Sequence, residues 1–133
     1  MSETAEWGNV CSRVDTCALT GAAAFFTGIK GAEVLVNGPL WCYFYALRHL
    51  EKSNSRLGER FHGSQPDNNA VVYGTEECLT DALDYIRENR APSILLIENS
   101  CSVSLIGDDI EGIAAKAKLP FSVIGMYLSL IHI

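Results

Sequence analysis

The stretch Ser93-Ile94-Leu95-Leu96-Ile97-Glu98, which follows Pro92, decides the fold. It is too short for a helix and apolar at consecutive positions, so both of its faces must be covered, as in a central strand of a parallel sheet. Upstream, Thr75 with Glu76 and Glu77 opens a helix. Leu79, Ala82, Leu83 and Ile86 form its inward stripe, and Arg87 and Arg90 lie near its carboxyl end. Before it, Ala70–Tyr73 (AVVY) reads as a strand, and Ser53–Asn69, rich in Gly, Ser and Asn, reads as a long surface loop. Further back lie a helix over Leu40–Glu51 and a buried strand over Ala32–Asn37 that closes at Gly38-Pro39. A first helix covers Ala18–Thr27. Downstream, Asp108 and Glu111 make a D-x-x-E capping box for a helix with Ile110, Ile113, Ala114 and Ala117 inward, and Phe121–Ile124 begins a fourth strand.

Strands alternating with helices require crossover connections and a sheet covered on both sides. The expected fold is therefore α/β, a Rossmann-like three-layer sandwich with a mostly parallel sheet. Residues 1–127 are expected to form one domain. The ending Leu128-Ser-Leu-Ile-His-Ile133 breaks the pattern and matches one reading frame of a common transposon-derived sequencing adapter, so residues 128–133 are expected to be a non-native tail.

The 133 residues are 48% apolar and 20% charged with a net charge of −6, which leaves no basic stripe for a nucleic-acid backbone. The apolar stretch Ala18–Ile29 is too short to span a bilayer and no basic run precedes it. No membrane partner and a cytoplasmic location are the expectations. The five cysteines, Cys11, Cys17, Cys42, Cys78 and Cys101, include no CxxC pair, which argues against zinc ribbons, thioredoxin-type motifs and ferredoxin-type runs. Ligands of open α/β sheets bind beyond the carboxyl ends of the strands. Cys42 follows the first strand and Cys101 follows the Ser93–Glu98 strand, so both emerge at that edge, and Cys17 sits just before the first helix. Three thiols from three segments can meet there, with a further ligand left to water, Cys11 or a partner chain. Cys78 falls inside a helix and reads as structural. His49 reads as solvated or half-buried, and His62, in the polar loop, as solvated though within reach of a partner.

The segments Cys17-x3-Gly21-Ala22, Gly38-x3-Cys42 and Cys101-Ser-Val-Ser-Leu-Ile106-Gly107-Asp108-Asp109 resemble, in order and spacing, the nitrogenase component 1 superfamily of oxidoreductases. Val72-Tyr73-Gly74 is similar to that family's strand-and-turn element before the third helix. The resemblance runs from about Val10 to Ile124. It implies the first domain of a larger multi-domain subunit, with Cys17, Cys42 and Cys101 as ligands of a bridging iron–sulfur cluster (4Fe–4S or larger). Gly21 and Gly38 would allow close backbone approach to that cluster. It further implies a homologous second component 1 subunit and an ATP-dependent iron protein as electron donor. Asn37 stands where many members have His, and Trp41 where glycine is common, which points to the divergent nitrogenase-like proteins. A scaffold for metal-cofactor assembly would use the same three cysteines. A domain for an organic ligand is disfavoured, because Gly28-x-x-Gly31 precedes the first strand and no GxGxxG or GK[ST] follows one.

Overall fold

The computed structural model describes residues 17–127. Cys11 and the tail 128–133 lie outside the described residues. Helix α1 (Ala18–Thr27) leads into β1 (Ala32–Asn37) and α2 (Leu40–Leu50). A 3-10 turn (Leu57–Arg60) runs into the three-residue β2 (Phe61–Gly63). Then come α3 (Asn68–Tyr73), α4 (Glu76–Asn89), β3 (Ile94–Asn99), α5 (Cys101–Ile106), α6 (Ile110–Ala117) and β4 (Ser122–Met126).

The four strands form one all-parallel sheet in the order β2-β1-β3-β4. Its centre is the pair β1 and β3, in register from Ala32 opposite Ile94 to Asn37 opposite Asn99. Every residue of β1 is buried, as its apolar reading requires. Alternate residues of each strand serve opposite cores. Val34, Val36 and Leu96 pack with Leu19 and Ala23 of α1 and Ala46 and Leu50 of α2. Leu35, Leu95 and Ile97 pack with Leu79, Leu83 and Ile86 of α4 and Ile110 and Ile113 of α6. Helices therefore cover both faces, giving the expected three-layer sandwich. At roughly 1.5–3 kcal/mol for each fully buried aliphatic side chain, these two cores dominate the stability of the fold.

Three sequence expectations are corrected. Ala70–Tyr73 is helical, because Asp67 caps the segment by accepting from the Ala70 amide at 2.8 Å. The resulting α3 buries none of its residues, and Val72 and Tyr73 stay exposed. The place beside β1 is taken instead by Phe61–Gly63, inside the expected loop. Phe61 is only 2% exposed there and packs on Tyr43, so one aromatic anchors a strand too short to show a period. The capping box is also displaced by one residue. Asp109, not Asp108, caps α6 by accepting from the Gly112 amide at 3.0 Å.

Candidate functional site

Strand order 2-1-3-4 places the topological switch point between β1 and β3, where the chain leaves neighbouring strands in diverging directions and opens a crevice at their carboxyl ends. The two exits are held together. The Ser100 amide donates to the Asn37 carbonyl at 3.0 Å, and Gly38 lies against Ser100 so closely that a Cβ on it would meet the Ser100 Cβ at 2.5 Å. Gly38 is thus required by the approach of the two loops to each other.

All three singled-out thiols stand at this edge, each at the start of a helix. Cys17 is the N-cap residue of α1 and exposed, with Sγ 3.6 Å from Thr20 Oγ1. Cys42 lies in the first turn of α2, half-buried, after Pro39 at the cap. Cys101 is the first residue of α5 and exposed, following Ser100, whose Oγ accepts from the Val103 amide. Burial pushes the Cys42 thiol up, and the nearby Cys101 and Cys17 sulfurs push it further. Gly21, one helical turn beyond Cys17, has open space where a Cβ would stand.

A single tetrahedral ion bound at 2.3 Å draws its sulfurs to about 3.8 Å from one another. Among the described residues, no three His, Cys, Asp or Glu side chains are gathered closely enough to hold one ion. Thiols from three separate segments, soft sulfur donors, are the ligand type of iron–sulfur groups. Cys78 lies in the first turn of α4, beside a cleft with Ser64, Asp81 and Tyr85, and is not among the groups that influence Cys42.

A buried polar network, not anticipated from the sequence, stiffens the same edge. Asn37 Nδ2 donates to Thr75 Oγ1 and to Asn99 Oδ1, both at 2.9 Å, and Asn37 Oδ1 accepts from Ser64 Oγ at 2.7 Å. Asp108 Oδ2 accepts from the Thr75 amide and hydroxyl at 2.7 and 2.6 Å. Asn37, Ser64, Thr75, Asn99 and Asp108 therefore tie together all the segments that leave this end of β1, β2 and β3. A visible signal was Asn37 itself, a polar residue closing a largely apolar strand.

Two buried glutamates were also missed. Glu33 is a polar interruption in β1. It receives His62 Nε2 at 2.6 Å and the Arg90 guanidinium at 2.7 and 3.0 Å. His62 is thus a structural partner in β2 and not a solvated loop residue. His49 is exposed, as expected. Glu98, the last residue of SILLIE, is fully buried on the α1/α2 side of β3, and both of its carboxylate oxygens lack a hydrogen-bond partner. Desolvation pushes its carboxyl up to about 8. A cleft of about 590 Å³ between α6 and the β4 edge, lined by Ala114, Leu119 and Val123 among others, contains none of the thiols.

Known proteins are similar to this chain in sequence and fold. The profile described as "Nitrogenase component 1 type Oxidoreductase" matches residues 17–128. The nitrogenase iron-molybdenum cofactor biosynthesis protein NifE of Methanosarcina barkeri is 29% identical over 103 residues, covering 76% of this chain and 22% of that protein. The nitrogenase molybdenum-iron protein alpha chain of the same organism is 33% identical over 110 residues, covering 77% and 20%. The solved structure "Nitrogenase Cp1 at pH 5" superposes with a TM-score of 0.68 and 26% identity over 82% of this chain and 24% of its own. The chain thus spans between a fifth and a quarter of the length of these relatives, and it belongs to the nitrogenase component 1 type oxidoreductase family.

Proposed function

We propose that this chain is the amino-terminal, cluster-binding domain of a nitrogenase-like subunit, in which Cys17, Cys42 and Cys101 hold an iron–sulfur cluster at a subunit interface. The observation that carries this reading is the placement of three thiols, each at the start of a helix, along the edge that holds the β1/β3 switch point, with Cys42 near enough to the other two to be influenced by them. The parent protein is a cytoplasmic oxidoreductase working with a second component 1 subunit. It receives electrons from an ATP-dependent iron protein and delivers them to a substrate or cofactor bound by other domains. Among the described residues no helix is long and apolar enough to cross a membrane.

The group would supply one-electron transfer when bound; the chain supplies its setting. Cys17 and Cys101 present exposed sulfurs, and Cys42 presents one from the edge of the apolar core. Gly38 and the Asn37 network fix the distance between the Cys42 and Cys101 turns. Gly21 leaves the surface beside Cys17 free of side-chain bulk.

A second reading keeps the same ligands without turnover: a scaffold on which a metal cofactor is assembled. It is favoured by the match to NifE proteins, which are named for cofactor biosynthesis, at 29% identity. Anaerobic reconstitution with ferrous iron and sulfide tests what the two readings share. Iron and sulfide uptake with an EPR signal on reduction is expected, lost in Cys17→Ala, Cys42→Ala and Cys101→Ala and retained in Cys78→Ala. Equal uptake by all four variants would reduce the three cysteines to core and surface residues. Transfer of bound metal to an acceptor, without electron throughput, would separate the scaffold from the oxidoreductase.

A further inference from the structure

The outer edge of the sheet, at β2, borders the cleft beside Cys78. Its volume is about 460 Å³, within the roughly 300–1,000 Å³ range of small-molecule sites. Tyr43 of α2, His62 and Gly63 of β2, and Asp81 and Tyr85 of α4 line it, and none of Cys17, Cys42 and Cys101 does. His62 is fixed there by a relay of contacts. The Arg90 guanidinium donates to Glu33 Oε1 at 2.7 and 3.0 Å, and His62 Nε2 lies 2.6 Å from Glu33 Oε2. A carboxylate only accepts hydrogen bonds, so Nε2 is the ring nitrogen that carries hydrogen and donates. Arg90 already balances the charge of Glu33, so this contact does not require a charged ring. In the neutral ring Nδ1 keeps a lone pair. Among the described residues Nδ1 has no hydrogen-bond partner, although the ring lines the cleft.

The rest of the lining says what the cleft would take. Asp81 makes no hydrogen bond or ion pair among the described residues, and no Lys or Arg lines the cleft, so its charge is uncompensated. At the edge strand β2, Ser64 turns its amide inward to the Val36 carbonyl. The N–H and C=O of the preceding Gly63 therefore point away from the sheet. Tyr43 packs on Gly63, where a Cβ would meet its ring at 3.2 Å, and Tyr85 stands edge-on to the His62 ring at 6.4 Å. A carboxylate, an imidazole lone pair and a backbone carbonyl are all acceptors, and the two tyrosine rings offer π faces. Their complement is a cation with several N–H donors and flat faces. A guanidinium has five donors in one plane, is weakly hydrated and stacks on aromatic rings, whereas an ammonium is a compact, strongly hydrated point charge.

We propose that the cleft lined by Tyr43, His62, Asp81 and Tyr85 is a binding site for a guanidinium group. Asp81 supplies the counter-charge, His62 Nδ1 and the Gly63 carbonyl accept N–H donors, and the tyrosine rings take the faces of the cation. A free guanidino compound and an arginine side chain of a polypeptide carry this same chemistry. The site uses neither the thiols nor iron, so it stands or falls separately from the cluster reading.

NMR titration of the intact chain with n-butylguanidinium, at about pH 8 where an ordinary imidazole is neutral, tests this. Saturable shifts at the cleft residues are expected, with a dissociation constant on the order of 1 mM. Long-range proton–nitrogen spectra should show His62 as the Nε2–H tautomer, with its Nδ1 signal moving when the probe is added. Asp81→Asn should weaken binding about 10-fold and Tyr85→Leu about 3-fold. Asp84→Asn, on the same helix but outside the lining, should leave it unchanged. n-Butylammonium, with the same charge and alkyl chain, should bind more weakly. Circular dichroism confirms that each variant is folded. The tripeptide acetyl-Ala-Arg-Ala-amide distinguishes the two sources: binding tighter than the probe assigns the site to a polypeptide arginine, and weaker binding to a free guanidino compound. Absence of saturation, equal binding of n-butylammonium, equal losses in Asp81→Asn and Asp84→Asn, or an Nδ1–H tautomer of His62 would overturn the proposal.

Discussion

Gly38 and Ser100 are in contact across the switch point: a methyl group on Gly38 would fall 2.5 Å from the Ser100 Cβ and 2.7 Å from its Oγ. The contact joins the segment leading to Cys42 with the one leading to Cys101. Neither side can yield easily, because Ser100 is buried, donates its amide to Asn37 and caps α5 through its hydroxyl. Gly38→Ala is therefore expected to cost about 1–3 kcal/mol, the range for inserting a methyl group into a packed site. Urea unfolding measures the loss. Iron uptake in the variant should fall with the separation of the two turns even where the protein remains folded. Wild-type stability and wild-type iron content together would show that the two turns are independent.

The Asn37 network makes a second prediction. Asn37→Leu leaves Thr75, Ser64 and Asn99 without a shared partner, at about 1–3 kcal/mol for each buried group left unsatisfied. Asn37→His preserves hydrogen-bonding capacity, so its cost should be smaller. Asp108→Ala strikes the same network from the α6 side and removes the acceptor of the Thr75 amide and hydroxyl. Because Asn37 and Asp108 both bond to Thr75, a double-mutant cycle between them should show coupling above roughly 0.5 kcal/mol. Strict additivity would mean that Asn37 and Asp108 act separately.

Much of this frame was legible in the sequence because the central elements carry their signals locally. Ala32–Asn37 and Leu95–Asn99 are continuous buried runs, and α4 has a full apolar stripe with acids first and a base last. The common edge of Cys42 and Cys101 follows from parallel strands alone. What escaped depended on distant partners. Phe61-His62-Gly63 is a strand only because β1 offers an edge and a pocket for the Phe61 ring. Ala70–Tyr73 has strand-like residues but an aspartate cap and no free place in the sheet. Asp108 sits at a cap-like position, yet it is used by Thr75, thirty-three positions earlier. Glu98 passed as the polar end of a strand, because sequence shows neither that it is fully covered nor that nothing bonds to it.

Glu33 gives a prediction in acid. Burial pushes its carboxyl up, but the hydrogen bonds from Arg90 and His62, with their charges, outweigh burial and hold it below the usual carboxylate range. The unfolded chain therefore binds a proton first as pH falls. The stabilisation is present above about pH 4.5 and disappears as the pH drops through the lowered folded value. Glu33→Gln should destabilise the protein at pH 7, and the gap between variant and wild type should narrow toward pH 3. Urea midpoints at several pH values check this. A gap independent of pH would mean that Glu33 matters for its shape alone.

Glu98 behaves in the opposite sense. With its folded carboxyl pushed up to about 8, it stays protonated in the sheet while the unfolded chain ionises near the ordinary glutamate value of 4.5. Between those values the unfolded state has released a proton that the native state retains. Stability therefore falls as pH rises from about 4.5 to 8, by on the order of 5 kcal/mol if the whole shift is expressed. Glu98→Gln abolishes the titration and keeps the shape, so it should leave stability near pH 4.5 almost unchanged and raise it progressively toward pH 8. Thermal unfolding of both proteins across that interval reads the difference, and infrared spectroscopy at pH 6.5 should show a protonated-carboxyl band that the variant lacks. Opposite slopes for Glu33→Gln and Glu98→Gln, from glutamates whose side chains lie on opposite faces of the sheet, would show that partnering rather than burial alone sets the sign. A Glu98 that ionises near 4.5 in the folded protein would instead mean that water or a cation reaches the end of β3, within three residues of Cys101.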